Sequence, residues 1–153
     1  MKLSNAFKGI SQLAFDTAPL IYFVEQHPVY WGRMQSIMQL VDAGHVAGVA
    51  STLALAEVLV QPLRARNNQL ADQYEQVVAN SHFFRLEPIT TTVARTAADL
   101  RARHQLRIPD ALHIATALVA GCDAFLTNDG DLRRVTELPV LFLDELEMDH
   151  SAT

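Results

Sequence analysis

Short, mostly apolar runs alternating with helix-spaced segments constrain this chain more than any other feature. Residues 13–15 (LAF), 46–50 (VAGVA), 83–86 (FFRL), 124–126 (AFL) and 140–143 (VLFL) are each too short for a stable helix. They also lack the polar alternation of a strand with one wet face. Strands of this kind belong to parallel sheets covered on both sides, and the segments between them supply the crossover helices.

Those intervening segments carry helix signals of their own. Pro19 suits the first turn of a helix running through Phe23, and Trp31, Met34, Ile37, Met38 and Val41 mark a second helix stopped at Gly44. Ser51 or Thr52 can cap a third helix that ends near Pro62, and residues 64–80 read as a more polar, exposed helix. Thr90 to Thr92 offer caps for a helix through Arg103, and Pro109 opens another that Gly121 stops. The expected fold class is therefore α/β, with a mostly parallel sheet and helices on both faces. With 153 residues, half of them hydrophobic, the chain can build one sizeable core and is too short for two.

Four acids interrupt this apolar framework: Asp16 in LAFDTAPLIYF, Glu57 in STLALAEVLVQP, Asp110 in RIPDALHIATAL and Asp129 in AFLTNDGDL. A carboxylate in a core-facing segment is costly to desolvate unless it is paired, neutralised or bound to a cation. Ordinary explanations exist for each. Asp16 could cap the helix after the first strand, Asp110 could be a favourable charge in a helix's first turn, and NDG around Asp129 is common turn chemistry. Glu57 is harder to explain this way, because its neighbours on both sides are apolar.

In open parallel sheets, ligands collect at the carboxyl ends of the strands. Asp16 and Asp129 lie just past such ends, and Asp110 could share that edge. Converging carboxylates repel one another, and a hard divalent ion such as Mg2+ or Mn2+ resolves the conflict while activating water beside a phosphodiester.

The net charge of −5 excludes a broadly basic protein that coats nucleic acid. Arginines do cluster (Arg64 and Arg66; Arg101, Arg103 and Arg107; Arg133 and Arg134), either as solvated helix faces or as a phosphate-contacting rim. His113 stands three residues after Asp110 and would share its helix face, while His27, His45, His82, His104 and His150 lack metal-ligand spacing. Asn128 and Asp131 could support Asp129, whereas Asp123 is expected to cap or precede a strand. Cys122 stands alone in an apolar stretch and is expected to be a buried structural thiol, and no uncharged run is long enough to span a bilayer. A soluble cytoplasmic protein is expected, with no membrane partner.

The ordered set of segments LAFDTAPLIYFVE, STLALAEVLVQP, IPDALHIATALVAGCDAFLTND and VLFLDE resembles a PIN-domain nuclease, and among these the VapC-type toxins of toxin–antitoxin pairs. The resemblance implies a three-layer α/β/α sandwich spanning 1–147, followed by a C-terminal tail over 148–153. It places Asp16, Glu57, Asp110 and Asp129 on the acidic metal-binding, catalytic positions and Thr127 on the supporting hydroxyl. It also implies a Mg2+ or Mn2+ cofactor, an RNA substrate, a cognate antitoxin covering the pocket and a homodimer. A housekeeping RNA-processing nuclease of the same fold and a non-catalytic PIN-like RNA-binding module are the alternatives.

Overall fold

The computed structural model describes residues 1–149; residues 150–153 of the expected tail, His150 among them, lie outside the described residues. Strands β1 (Gln12–Phe15), β2 (Ala47–Ser51), β3 (Phe84–Glu87), β4 (Ala124–Thr127) and β5 (Val140–Phe142) form one sheet in the order β3-β2-β1-β4-β5. Every strand pair is parallel.

The continuous apolar runs have a direct cause. In β1, Leu13 and Phe15 enter one core while Ala14 enters the other, and in β4 Ala124 and Leu126 part company with Phe125 in the same way. Successive side chains point to opposite faces, so a strand buried on both sides must be apolar throughout. The first core is closed by α2 (Thr17–Val24), α3 (Trp31–Asp42), α4 (Thr52–Arg64) and α5 (Asn68–Val78), and the second by α6 (Thr91–His104) and α7 (Ile108–Val119). This is an α/β/α sandwich around a parallel sheet, as expected.

Capping fixes where several crossovers begin. Ser51 Oγ accepts the Leu53 amide at 3.0 Å to start α4, and Thr90 Oγ1 accepts the Val93 amide at 3.2 Å to start α6. Gly44 and Gly121 adopt positive φ after α3 and α7, the left-handed closure that suits glycine. Gly48 has a different reason: a Cβ there would lie 2.2 Å from the Phe83 carbonyl oxygen, so β2 passes β3 only with a bare α-carbon.

Some boundaries move. Helix α4 continues through Pro62 to Arg64, because a proline near a helix end interrupts little hydrogen bonding further on. Helix α5 starts later than expected, where Asn67 Oδ1 accepts the Leu70 amide at 3.1 Å, and it buries Ala71, Tyr74 and Val78 instead of lying exposed. Leu143 belongs to a 3-10 turn beyond β5. A short helix α1 (Leu3–Ala6) was not foreseen; it is held by pairing of Lys2 with Glu147 and by Asp149, which accepts from Ser4 Oγ at 2.8 Å. Cys122 is only partly buried, though burial still pushes its thiol up to about 11. Among the described residues, no helix is long and apolar enough to cross a membrane.

Candidate active site

The strand order reverses at β1. From β1 the chain builds outward to β2 and β3, then returns to lay β4 and β5 on the other side. The carboxyl ends of β1 and β4 therefore lie side by side at the switch point, the place where open α/β sheets bind their ligands. The Asp16 amide extends the ladder there, donating to the Leu126 carbonyl at 2.9 Å.

Asp16 is buried at this edge and does two things at once. Its Oδ1 accepts the Thr17 amide at 2.8 Å as the cap of α2, and its Oδ2 accepts the Thr127 hydroxyl at 2.7 Å. Capping and site membership are thus not alternatives. Thr127 is fully buried at the end of β4 and also accepts the Asp129 amide at 2.9 Å, tying Asp129 to Asp16 through one hydroxyl. Asp129 Oδ1 in turn accepts the Asp131 amide at 3.0 Å, starting the 3-10 turn Gly130–Arg134. Asn128 turns away and accepts the Asp144 amide at 2.8 Å, bracing the loop from the other side.

Asp110 arrives from α7, in the first turn after Pro109. Its side chain is 9% exposed, and burial raises its carboxyl above the usual range; the Arg107 guanidinium opposes that, and the charges of Asp129 and Asp16 reinforce it. The three aspartates thus share one electrostatic neighbourhood.

Glu57 belongs to a different set of contacts. Its Oε1 accepts from His113 Nε2 at 2.5 Å and from Thr17 Oγ1 at 3.4 Å, and the His113 contact is the largest cause of a carboxyl held below the usual range. A carboxylate only accepts, so the His113 proton sits on Nε2. Nδ1 is buried with no partner among the described residues. The expected face-sharing of His113 with Asp110 does occur, and the histidine is both packed and turned toward an acid. Thr17, next to Asp16, is the bridge between the two groups.

The acids are not free of basic partners. Arg107 Nε donates to Asp110 Oδ2 at 3.1 Å, a contact the i, i+3 spacing could have signalled. Asp123 lies elsewhere: its Oδ2 accepts the Ser11 and Gln12 amides at 2.8 and 2.9 Å, at the opposite edge of the sheet.

Among the described residues, no three His, Cys, Asp or Glu side chains stand ready as a metal-holding group. The donor set nonetheless suits a hard cation in its chemistry. It offers carboxylate and hydroxyl oxygens and no thiolate, with mutual repulsion that a cation would relieve.

Comparisons with known proteins bear on the fold and the family. No curated protein sequence matches the chain. Among solved structures, it is similar to FitAB bound to a DNA fragment, with TM-score 0.69 and 19% identity over 90% of this chain and 99% of that one. It is similar to VapC20 from Mycobacterium tuberculosis, described as a sarcin-ricin loop cleaving toxin, with TM-score 0.64 and 18% identity over 79% and 92%. A toxin-antitoxin complex from Klebsiella pneumoniae matches with TM-score 0.59 and 20% identity over 86% and 97%. At these identities the likeness is one of fold. The family assignment rests on the sequence, which matches the PIN domain over residues 14–138, from within β1 to just short of β5: the chain belongs to the PIN domain family.

Proposed function

We propose that this protein is a divalent-metal-dependent endoribonuclease, the toxin of a type II toxin–antitoxin pair. The observation that carries the proposal is the tie of Asp16 to Asp129 through Thr127 at the switch-point edge of a PIN-domain sheet, with Asp110 close enough for both charges to act on its carboxyl. Asp16, Asp110 and Asp129 would hold Mg2+ or Mn2+, with Glu57 joining from α4. When bound, the cation supplies water activation and neutralisation of phosphodiester charge.

The chain's own groups do the rest. Thr127 fixes the rotamer of Asp16 and the backbone of Asp129, so that two carboxylates from different strands keep a constant relation. His113 keeps Glu57 ionised and oriented while leaving Oε2 without a recorded partner among the described residues.

Two of the similar structures support the biological setting, one being described as a sarcin-ricin loop cleaving toxin and the other as a toxin-antitoxin complex. We accordingly propose an antitoxin partner that covers the acidic edge, and, from the family resemblance alone, a homodimer.

Purified protein is expected to cleave RNA with Mn2+ or Mg2+ and to stop in excess EDTA, with a matched Asp110→Asn preparation inactive throughout. Mn2+ at ~100 times its dissociation constant should add about 2.7 kcal/mol of stability, raising the melting temperature by roughly 5–10 °C in a domain of this size. Equal cleavage in EDTA, together with melting unmoved by millimolar Mn2+, would overturn the proposal.

A further inference from the structure

The arginine groups of the sequence separate once their partners are known. Arg101 Nε donates to the Leu106 carbonyl at 3.1 Å, Arg103 grips Asp99 at 2.7 Å and reaches Glu137, Arg133 pairs with Glu145, and Arg134 donates to the Gln105 carbonyl at 3.4 Å. Each of these contacts lies outside the acidic edge. Arg107 differs: it is the cap residue of α7, directly beside the acids, and its Nε donates to Asp110 Oδ2.

The exposures of that pair are unequal. The Arg107 side chain is 73% exposed, whereas that of Asp110 is 9% exposed. The guanidinium therefore lies over a buried carboxylate from the solvent side, with Nη1 and Nη2 making no recorded hydrogen bond among the described residues. Its positive field also reaches Asp129 and Asp131, and it contributes to holding the Glu57 carboxyl low. A guanidinium presents a planar fork of donors that matches phosphate oxygens, and an exposed ion pair of this kind is weak enough to exchange.

We propose that Arg107 serves two states of the site: without metal its guanidinium is the counter-ion of Asp110, and when a divalent cation takes the carboxylates it is displaced to contact a phosphate of the RNA strand. This rests on the nuclease reading above. It makes Arg107 a competitor for the metal and a ligand for the substrate, so that removing it has effects of opposite sign on the two.

The test uses wild type, Arg107→Gln and Arg107→Lys, each checked for native circular dichroism. Calorimetric titration with Mn2+ alone reads the first role. Arg107→Gln should bind Mn2+ at least about fivefold more tightly, the lower end of ordinary coupling between mutually exclusive events, while Arg107→Lys, which keeps the charge, should stay near wild type. Cleavage of an unstructured RNA oligonucleotide at saturating Mn2+ reads the second. Arg107→Gln should raise KM more than it lowers kcat, and its plot of log kcat/KM against log salt should be shallower by roughly 0.7, the value of one lost contact to single-stranded phosphate. Arg107→Lys should recover the salt slope but only part of KM, because a point charge replaces a fork. Unchanged or weaker Mn2+ binding by Arg107→Gln, or an unchanged salt slope, would make the pair an inert surface contact and overturn the inference. In that event a wild type that still binds Mn2+ and cuts RNA leaves the nuclease reading standing, whereas a wild type that does neither removes both.

Discussion

The two edges of the sheet handle the same side chain in opposite ways. At the amino edge of β1 and β4, Asp123 accepts two backbone amides, from Gln12 and Ser11, which hold its carboxyl below the usual range. At the carboxyl edge of the same two strands, Asp110 faces Asp16 and Asp129, and burial raises its carboxyl instead. The physical difference lies in what each carboxylate meets. Asp123 stays exposed and is satisfied by two amides, whereas Asp110 is buried beside two other carboxylates and, among the described residues, is met only by the exposed Arg107. An aspartate held as Asp123 is held is spent on structure. One held as Asp110 is held stays in need of a cation, and that need is what a metal site or a basic partner residue can use.

The contrast yields its largest effect in catalysis. Asp16→Asn and Asp110→Asn should each lower single-turnover RNA cleavage about 10³-fold, equivalent to about 4 kcal/mol of lost charge stabilisation. Asp123→Asn should change it by less than about twofold. Comparable losses at both edges would mean that the carboxyl edge is not special.

Stability should show a smaller effect with a change of sign. Asp123→Ala loses an acceptor for two amides and is expected to melt roughly 3–6 °C lower, for about 1–2 kcal/mol. Asp110→Asn removes a desolvated charge whose ion-pair partner is exposed, and should melt about 3 °C higher without metal, for about 1 kcal/mol. Thermal unfolding of both variants in EDTA decides the matter, and a lower melting point for Asp110→Asn would show that Arg107 compensates the buried charge in full.

The smallest effect is a pH dependence, again opposite at the two edges. The Asp110 carboxyl is raised above its ordinary 3.8, so its charge costs stability at neutral pH and ceases to do so as protonation proceeds downward through the raised value. The advantage of Asp110→Asn should therefore shrink as pH falls from about 7 towards about 4. Asp123 is depressed below 3.8, so its contribution is present above that value and is lost only as pH falls through the lower folded one. Over the same interval the deficit of Asp123→Ala should stay constant. Melting curves at several pH values for the two variants would reveal parallel trends if the edges were equivalent.

Much of the architecture was legible because burial on both faces leaves a plain trace. LAF, AFL and VLFL could hardly be anything except strands of a covered parallel sheet, and the strands fall within a residue or two of where those runs predict them. The misplaced features were those with weak local signals. The burial of Tyr74 depends on α5 packing against α4 and on Glu25 receiving its hydroxyl, and α1 depends on Lys2 meeting Glu147 far along the chain.

The acids divide along the same line. Their presence in apolar surroundings marked Asp16, Glu57, Asp110 and Asp129 as residues in need of partners, since the cost of burying a carboxylate can be judged from its neighbours. Which partners they found could not be judged in that way. The hydroxyl of Thr127 joins Asp16 to Asp129 across two strands, His113 draws Glu57 into a pair of its own, and Arg107 rather than its neighbouring arginines settles over Asp110. The sequence by itself determined the parallel α/β scaffold and the residue types of the candidate site, because hydrophobic periodicity and desolvation cost are local properties. Only the tertiary structure decided how the charges pair, because electrostatic partnership depends on distances between atoms that the chain order leaves far apart.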